Sequence, residues 1–222
     1  MAGILLTGFE AFGNTPENPA EAVARALDGE DVSGVRIHAR VVPSAFFECV
    51  DAVKAAIEEL EPDVVVMMGE YGGRAMITVE RLAQNLNDGT RYELADNRGV
   101  APQGEPTIDG GPEAYRTTLP LRAMVKAMRD AGIPADISDT PGTFCCNHLM
   151  YGVLHHVATA SLPVRVGWIH LPHLPQVAAL PDNLGAPSMS VETACAGVKV
   201  ALDAAVLHEE DIDVPIVSRW QI

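Results

Sequence analysis

The stretch Asp-Val-Val-Val-Met-Met-Gly at 63–69 constrains the fold more than any other part of the chain. Residues 64–68 are all apolar, three of them β-branched, and a glycine ends the run. A strand covered on one face only would alternate apolar with polar residues; this one sends apolar side chains to both faces. Helices must therefore lie on each side of the sheet that contains it.

Neighbouring segments supply those layers. Residues 3–7 and 164–170 read as further buried strands, and 35–42 and 135–138 as strands of more mixed character. Helical spacing marks 18–27, 45–60, 119–131, 147–158 and 190–207. In the second of these Phe47, Val50, Val53, Ile57 and Leu60 share one face. Asn18 stands at an N-cap before Pro19, with Glu21 at the capping-box position, and Ser190 caps the last helix. This alternation predicts an α/β chain: a single-domain three-layer α/β/α sandwich around a mixed, mostly parallel sheet. No repeat, low-complexity tract or linker divides the 222 residues, so one domain over 1–222 is expected. Residues 76–86 read as extended. Residues 95–113 form an excursion of a length usually reserved for functional or mobile loops.

A formal net charge of −15 repels phosphate backbones and anionic lipid, which argues against nucleic-acid and membrane partners. No apolar stretch approaches the roughly 20 residues of a membrane span. The opening MAGILLTGFE has neither a basic region nor a cleavage site and reads as a strand, not a leader. Cysteines at 49, 145, 146 and 195 show no framework spacing, so reduced thiols in a cytoplasmic protein are expected. Cys49 and Cys195, inside helices among alanines and valines, read as packing.

In open α/β sheets ligands bind beyond the carboxyl ends of the strands. The residues there are Thr7-Gly8-Phe9, Gly69-Glu70, Phe144-Cys145-Cys146 and His170. Cys146, at the start of a helix, has free backbone N–H groups and the helix dipole to favour its thiolate and lower its pKa. The same groups could hold an oxyanion. A thiol nucleophile needs a base, for which His170 is the natural candidate, and the base needs an orienting Asp, Glu or Asn.

Four stretches, TGFEAFGNTPENPA, GGRAMITVERLAQN, ISDTPGTFCCNHLMYGVLHH and GWIHLPHLPQ, come in the order and spacing of the pyroglutamyl peptidases. The likeness runs from about residue 4 to 208. It implies a cysteine omega-peptidase that removes N-terminal pyroglutamate from peptides, with Cys146 as nucleophile, His170 as base and Glu80 as orienting carboxylate. It further implies that Phe9 and Phe12 pack on the lactam ring, with Asn18, Ser44, Glu70 and Phe144 beside them. Cys145, where relatives usually have Val, would line the same pocket as a small hydrophobe. No metal or organic cofactor is required, and the family suggests a homo-oligomer, a tetramer or dimer. A neutral, flat lactam with no free α-amine calls for an apolar site with a few hydrogen bonds, and two Phe rings suit it.

The chain departs from the family pattern at Ala11, where Pro is usual, at Asn14, where Gly is, and at Glu70, where Gln is common. Residues 87–97 are longer than in relatives, so the arginine that relatives place near the site falls on Arg91. Other readings of the same residues are a phosphorylase-like enzyme using Gly72-Gly73-Arg74 as a phosphate cradle, a metal site of Cys145, Cys146, His148 and His155 or His156, and a redox pair of Cys145 and Cys146. Phe9 and Phe12 would serve equally as core, Asn18 only as a cap, and Glu80 as half of a surface ion pair with Arg81. His148 reads as a surface or supporting residue, and His173 has no role.

Overall fold

The computed structural model describes residues 3–13 and 15–219; Met1, Ala2, Asn14, Trp220, Gln221 and Ile222 lie outside them. The chain opens with β1 (Ile4–Phe9), α1 (Pro19–Leu27), the short β2 (Asp31–Val32), β3 (Val35–Val42) and α2 (Glu48–Leu60). Then come β4 (Val64–Glu70), β5 (Ile77–Glu80), β6 (Leu82–Gln84), β7 (Asn87–Asp88), β8 (Gln103–Glu105) and β9 (Ala114–Arg116). The last third holds α3 (Leu121–Asp130), β10 (Ala135–Ser138), α4 (Cys145–Ala160), β11 (Arg165–Leu171), the one-turn α5 (Pro175–Ala178) and α6 (Val191–Leu207).

Seven strands form the main sheet in the order β10-β5-β11-β4-β1-β3-β2. The pairs β10–β5, β11–β4, β4–β1 and β1–β3 are parallel, while β5 runs antiparallel to β11 and β2 to β3. The central position of β4 explains its composition. Val64, Val66 and Met68 pack with Val23, Met124 and Leu202 of α1, α3 and α6. Val65 and Met67 face the opposite way, against Val53 of α2 and Leu149 and Val153 of α4. Both apolar faces are covered, and the chain is a three-layer α/β/α sandwich with a mixed, mostly parallel sheet.

Asn18 caps α1, its side-chain oxygen accepting the Ala20 N–H at 2.9 Å, and Ser190 accepts that of Thr193 at 3.2 Å. Four expectations change. The helix expected over 45–60 begins three residues later, at Glu48, and leaves Phe47 outside it and exposed. The extended stretch at 76–86 is two strands in different sheets, because β6 leaves the main sheet to pair with β9. The helix expected over 147–158 begins two residues earlier, at Cys145. The 95–113 excursion is tied down and contains β8, paired with β7. Its Asp96 is buried, accepts the Phe46 N–H at 2.7 Å and turns the chain by accepting the N–H groups of Arg98 and Val100. The Asn97 N–H reaches the Ser44 carbonyl at 3.0 Å.

Candidate active site

A cavity of about 260 Å³ opens where β1, β4 and β11 end and α4 begins. Phe9, Phe12, Asn18, Ser44, Glu70, Phe144, Cys145, Cys146 and His170 all line it. Of the triad and pocket residues that the resemblance implies, Glu80 stands off its wall, behind His170.

The approach of thiol and imidazole depends on a glycine. A Cβ on Gly69 would lie 2.9 Å from Cys146 Sγ, 3.5 Å from the His170 ring and 2.8 Å from the Trp168 indole. Any side chain there would fill the space that the thiol and the imidazole ring both border. Asn147 anchors the start of α4: it donates to the carbonyls of Gln84 and Leu86 at 2.8 and 2.9 Å and accepts the Gln84 N–H at 2.9 Å. The helix starts after Phe144 with no side-chain cap, so the N–H groups of its first turn are free of helical partners and border the cavity.

His170 and Glu80 meet because β5 runs antiparallel to β11, which sets Thr78 opposite His170. Glu80, two residues on, points the same way. His170 Nδ1 lies 2.7 Å from Glu80 Oε1, and both side chains are buried. The ion pair considered for Glu80 and Arg81 does not exist; Arg81 pairs with Asp139 at 2.9 Å. Glu80 pairs with Arg74 at 2.8 Å, which removes Arg74 from any phosphate cradle. Gly72 also serves another purpose, since a Cβ on it would come within 2.3 Å of His173. Arg91 stays exposed, its guanidinium 5.2 Å from the Tyr92 ring, in a groove beside the cavity.

The apolar wall is a chain of rings. Phe9 packs on Trp168 at 5.6 Å, Phe12 on Phe144 at 5.3 Å, and Phe46 supports Phe144 edge-on at 5.3 Å. Ser44 is buried, its hydroxyl donating to the Glu10 carbonyl at 3.0 Å. Asn18 donates to the same carbonyl at 3.1 Å while it caps α1. Sequence reasoning missed Tyr71, Tyr92 and Leu94 on the wall, which no motif marks, and left His173 of GWIHLPHLPQ, which holds Glu70, without a role. His173 Nδ1 is 2.7 Å from Glu70 Oε1, the carboxylate where glutamine is common. His148 is buried rather than superficial, with Nε2 accepting the Phe47 N–H at 3.0 Å.

Electrostatics overturn one expectation. Burial pushes the Cys146 thiol above its ordinary value, with the Glu80 charge adding to it, so the helix start does not leave a free thiolate. Burial also pushes His170 down, outweighing the hydrogen bond and charge of Glu80. For Glu80, burial works upward but is outweighed by the hydrogen bond to His170 and the charges of His170 and Arg74, so the carboxylate lies below its usual range. These directions favour a neutral thiol and a neutral imidazole beside a carboxylate in the resting site. Cys145 is pushed well up by burial. Among the described residues no three His, Cys, Asp or Glu side chains converge on one point as a metal site.

A thiol at a helix start, an imidazole ending a strand and a buried carboxylate behind it form the constellation of a cysteine hydrolase. The pyroglutamyl peptidase family model matches residues 2–208. Pyrrolidone-carboxylate peptidases of Mycobacterium marinum and Mycobacterium tuberculosis are 58% and 59% identical over 222 residues, the full length of each chain compared. The crystal structure of pyroglutamyl peptidase I from Bacillus amyloliquefaciens is 38% identical, with a TM-score of 0.89 over 95% of this chain and 99% of that one. The chain belongs to the pyroglutamyl peptidase family and is a cysteine peptidase that removes an N-terminal pyroglutamyl residue from peptides.

Proposed function

We propose that Cys146, His170 and Glu80 carry out this hydrolysis as nucleophile, base and orienting carboxylate. The observation that carries the reading is that His170 has Glu80 on Nδ1 while its other face shares the space beside Gly69 with the Cys146 thiol. Nε2 makes no hydrogen bond among the described residues, which suits it to take the thiol proton.

As Cys146 Sγ attacks the pyroglutamyl carbonyl, its proton moves to His170 Nε2, and Glu80 stabilises the imidazolium that forms. The free N–H groups of the first turn of α4 receive the developing oxyanion. Collapse breaks the C–N bond, and His170 delivers its proton to the departing amine. A water then gives a proton to His170 and attacks the thioester. The second collapse releases pyroglutamate and returns the proton to sulfur, restoring the resting site.

The lactam ring sits among Phe9, Phe12 and Phe144, with Cys145 as small apolar wall and Asn18, Ser44 and Glu70 as the polar rim. Wild-type protein should hydrolyse a pyroglutamyl amide with a fluorogenic leaving group. Cys146→Ala should abolish that activity, and Cys145→Ala should leave most of it. The reverse pattern would move the nucleophile to Cys145.

The wider reading is of one catalytic domain over 1–222, working on free peptides in the cytoplasm without cofactor, nucleic acid or membrane. The net charge of −15 supports it. Among the described residues no helix is long and apolar enough to cross a membrane. A homo-oligomer, dimer or tetramer, completes the proposal; light scattering on the eluting protein decides it, and a monomer would refute it.

A further inference from the structure

A buried cation stands behind the His170–Glu80 pair. Arg74 Nη1 is 2.8 Å from Glu80 Oε1, the same oxygen that contacts His170 Nδ1, and 2.5 Å from Thr78 Oγ1. The Arg74 side chain is 9% exposed and that of Glu80 0%, so water screens the pair little. The guanidinium also lies 3.7 Å from the centre of the Tyr71 ring, and Tyr71 meets the His170 ring at 5.3 Å and 75°. Arg74 therefore touches both groups that hold the imidazole, one through charge and one through ring contact.

A lone carboxylate this deeply buried is costly, and it escapes the cost by taking a proton or by drawing one onto a neighbouring imidazole. Either outcome spoils the resting site. A protonated Glu80 gives no support to an imidazolium, and a protonated His170 cannot accept the thiol proton. A guanidinium on the same oxygen removes the need for that proton. It also opposes the positive charge of His170 during turnover, which makes the imidazolium a readier donor to the departing amine.

We infer that Arg74 is a positioning residue of this enzyme: its ion pair with Glu80 holds the carboxylate on His170 Nδ1 and keeps His170 neutral at rest. The inference rests on the triad proposed above. The other titratable groups around His170 are the Cys146 thiol from α4, the Tyr71 phenol from the β4–β5 loop and Glu70 at the end of β4, which is tied to His173. Arg74 is the cation among them, and its charge acts on His170 in the downward direction, second to burial among the lowering causes.

The test is the pH dependence of kcat/KM for a pyroglutamyl amide in wild type, Arg74→Met and Arg74→Lys, each checked for its fold by circular dichroism. Arg74→Met should lower kcat roughly 10- to 100-fold with little change in KM. Its acid limb should move to higher pH by on the order of one unit, because His170 then holds its proton more tightly. Arg74→Lys should return the limb to the wild-type position. A folded Arg74→Met with an unmoved acid limb overturns the inference, whatever its kcat. If Arg74→Met does not fold, Glu80→Gln is compared with the Glu80→Gln/Arg74→Met double variant, which leaves no unpaired carboxylate. Residual activity should then show a higher acid limb in the double variant, and coincident limbs overturn the inference. Cys146→Ala, measured alongside, separates the two claims: if it retains turnover, the triad fails and not merely the role of Arg74.

Discussion

His170 Nδ1 lies 2.7 Å from Glu80 Oε1, with the two side chains 1% and 0% exposed. The contact leaves Nε2 as the imidazole nitrogen without a hydrogen-bond partner among the described residues, and so as the one the proposed mechanism uses. Glu80→Gln keeps the shape and removes the charge, and an amide can turn its N–H₂ toward Nδ1, selecting the wrong tautomer. We expect kcat to fall by about 10²–10⁴ with KM little changed. Turnover within a factor of two of wild type in steady-state kinetics would dismiss Glu80 from the site.

The protonation states set the pH profile. His170 is pushed below its ordinary value and Cys146 above its own, both mainly by burial. The acid limb of kcat/KM should therefore lie below about pH 6.5, the usual imidazole range, and the free enzyme should show no thiolate at neutral pH. Thiolate absorbance in the ultraviolet, compared between wild type and Cys146→Ala, reads this directly. A Cys146-dependent thiolate signal at pH 7 would mean that a thiolate–imidazolium pair exists at rest.

His148 links stability to pH away from the chemistry. It is buried between Phe46 and Phe47, at ring distances of 5.1 and 4.9 Å, and burial pushes it down to about 4. An unfolded histidine titrates near 6.5, so between these values the unfolded chain binds more protons than the folded one. The contribution is therefore intact above about pH 6.5 and lost as pH falls toward 4, up to about 3 kcal/mol in all. His148→Gln retains an acceptor for the Phe47 N–H and should flatten this part of the melting-temperature profile. Parallel profiles for the two proteins would show that His148 does not titrate as argued.

Gly72 and His173 should behave as one unit. A Cβ on Gly72 would lie 2.3 Å from the His173 ring, so Gly72→Ala displaces the ring that holds Glu70 on the cavity wall. We expect Gly72→Ala and His173→Ala each to raise KM, roughly tenfold, with a smaller effect on kcat. The double variant should be no worse than His173→Ala, because the clash is gone once the ring is. Penalties that add in full would show the two residues acting independently.

Gly69→Ala probes the meeting point of thiol and imidazole. The added methyl would lie 2.9 Å from Cys146 Sγ and 2.8 Å from Trp168, both in packed surroundings. Overpacking of this kind costs about 1–3 kcal/mol, so the melting temperature should drop and turnover should be lost with it. A variant with wild-type kcat would show that the space beside Gly69 is not where the proton passes.

The amino-acid sequence by itself determined the layers and most of the cavity wall. An all-apolar strand at 64–68 demands cover on both faces, and a helix beginning near Cys146 puts a thiol beyond the sheet. Both follow from local periodicity, which short-range sterics and side-chain direction enforce. The family resemblance added Glu80 and the ring pocket, but not what holds Glu80 on His170. That was decided in three dimensions, where an antiparallel strand sets residues 78 and 170 side by side and buries a carboxylate that the sequence shows next to an arginine it does not use. The state of Cys146 was decided there too. A helix start favours the thiolate, while burial pushes the Cys146 thiol up, and burial depends on what distant segments bring to the site. Arg74 and His173 stand in stretches that the sequence marks, and Tyr71 in none, but the partners of all three are set by strand order and loop path rather than by spacing along the chain.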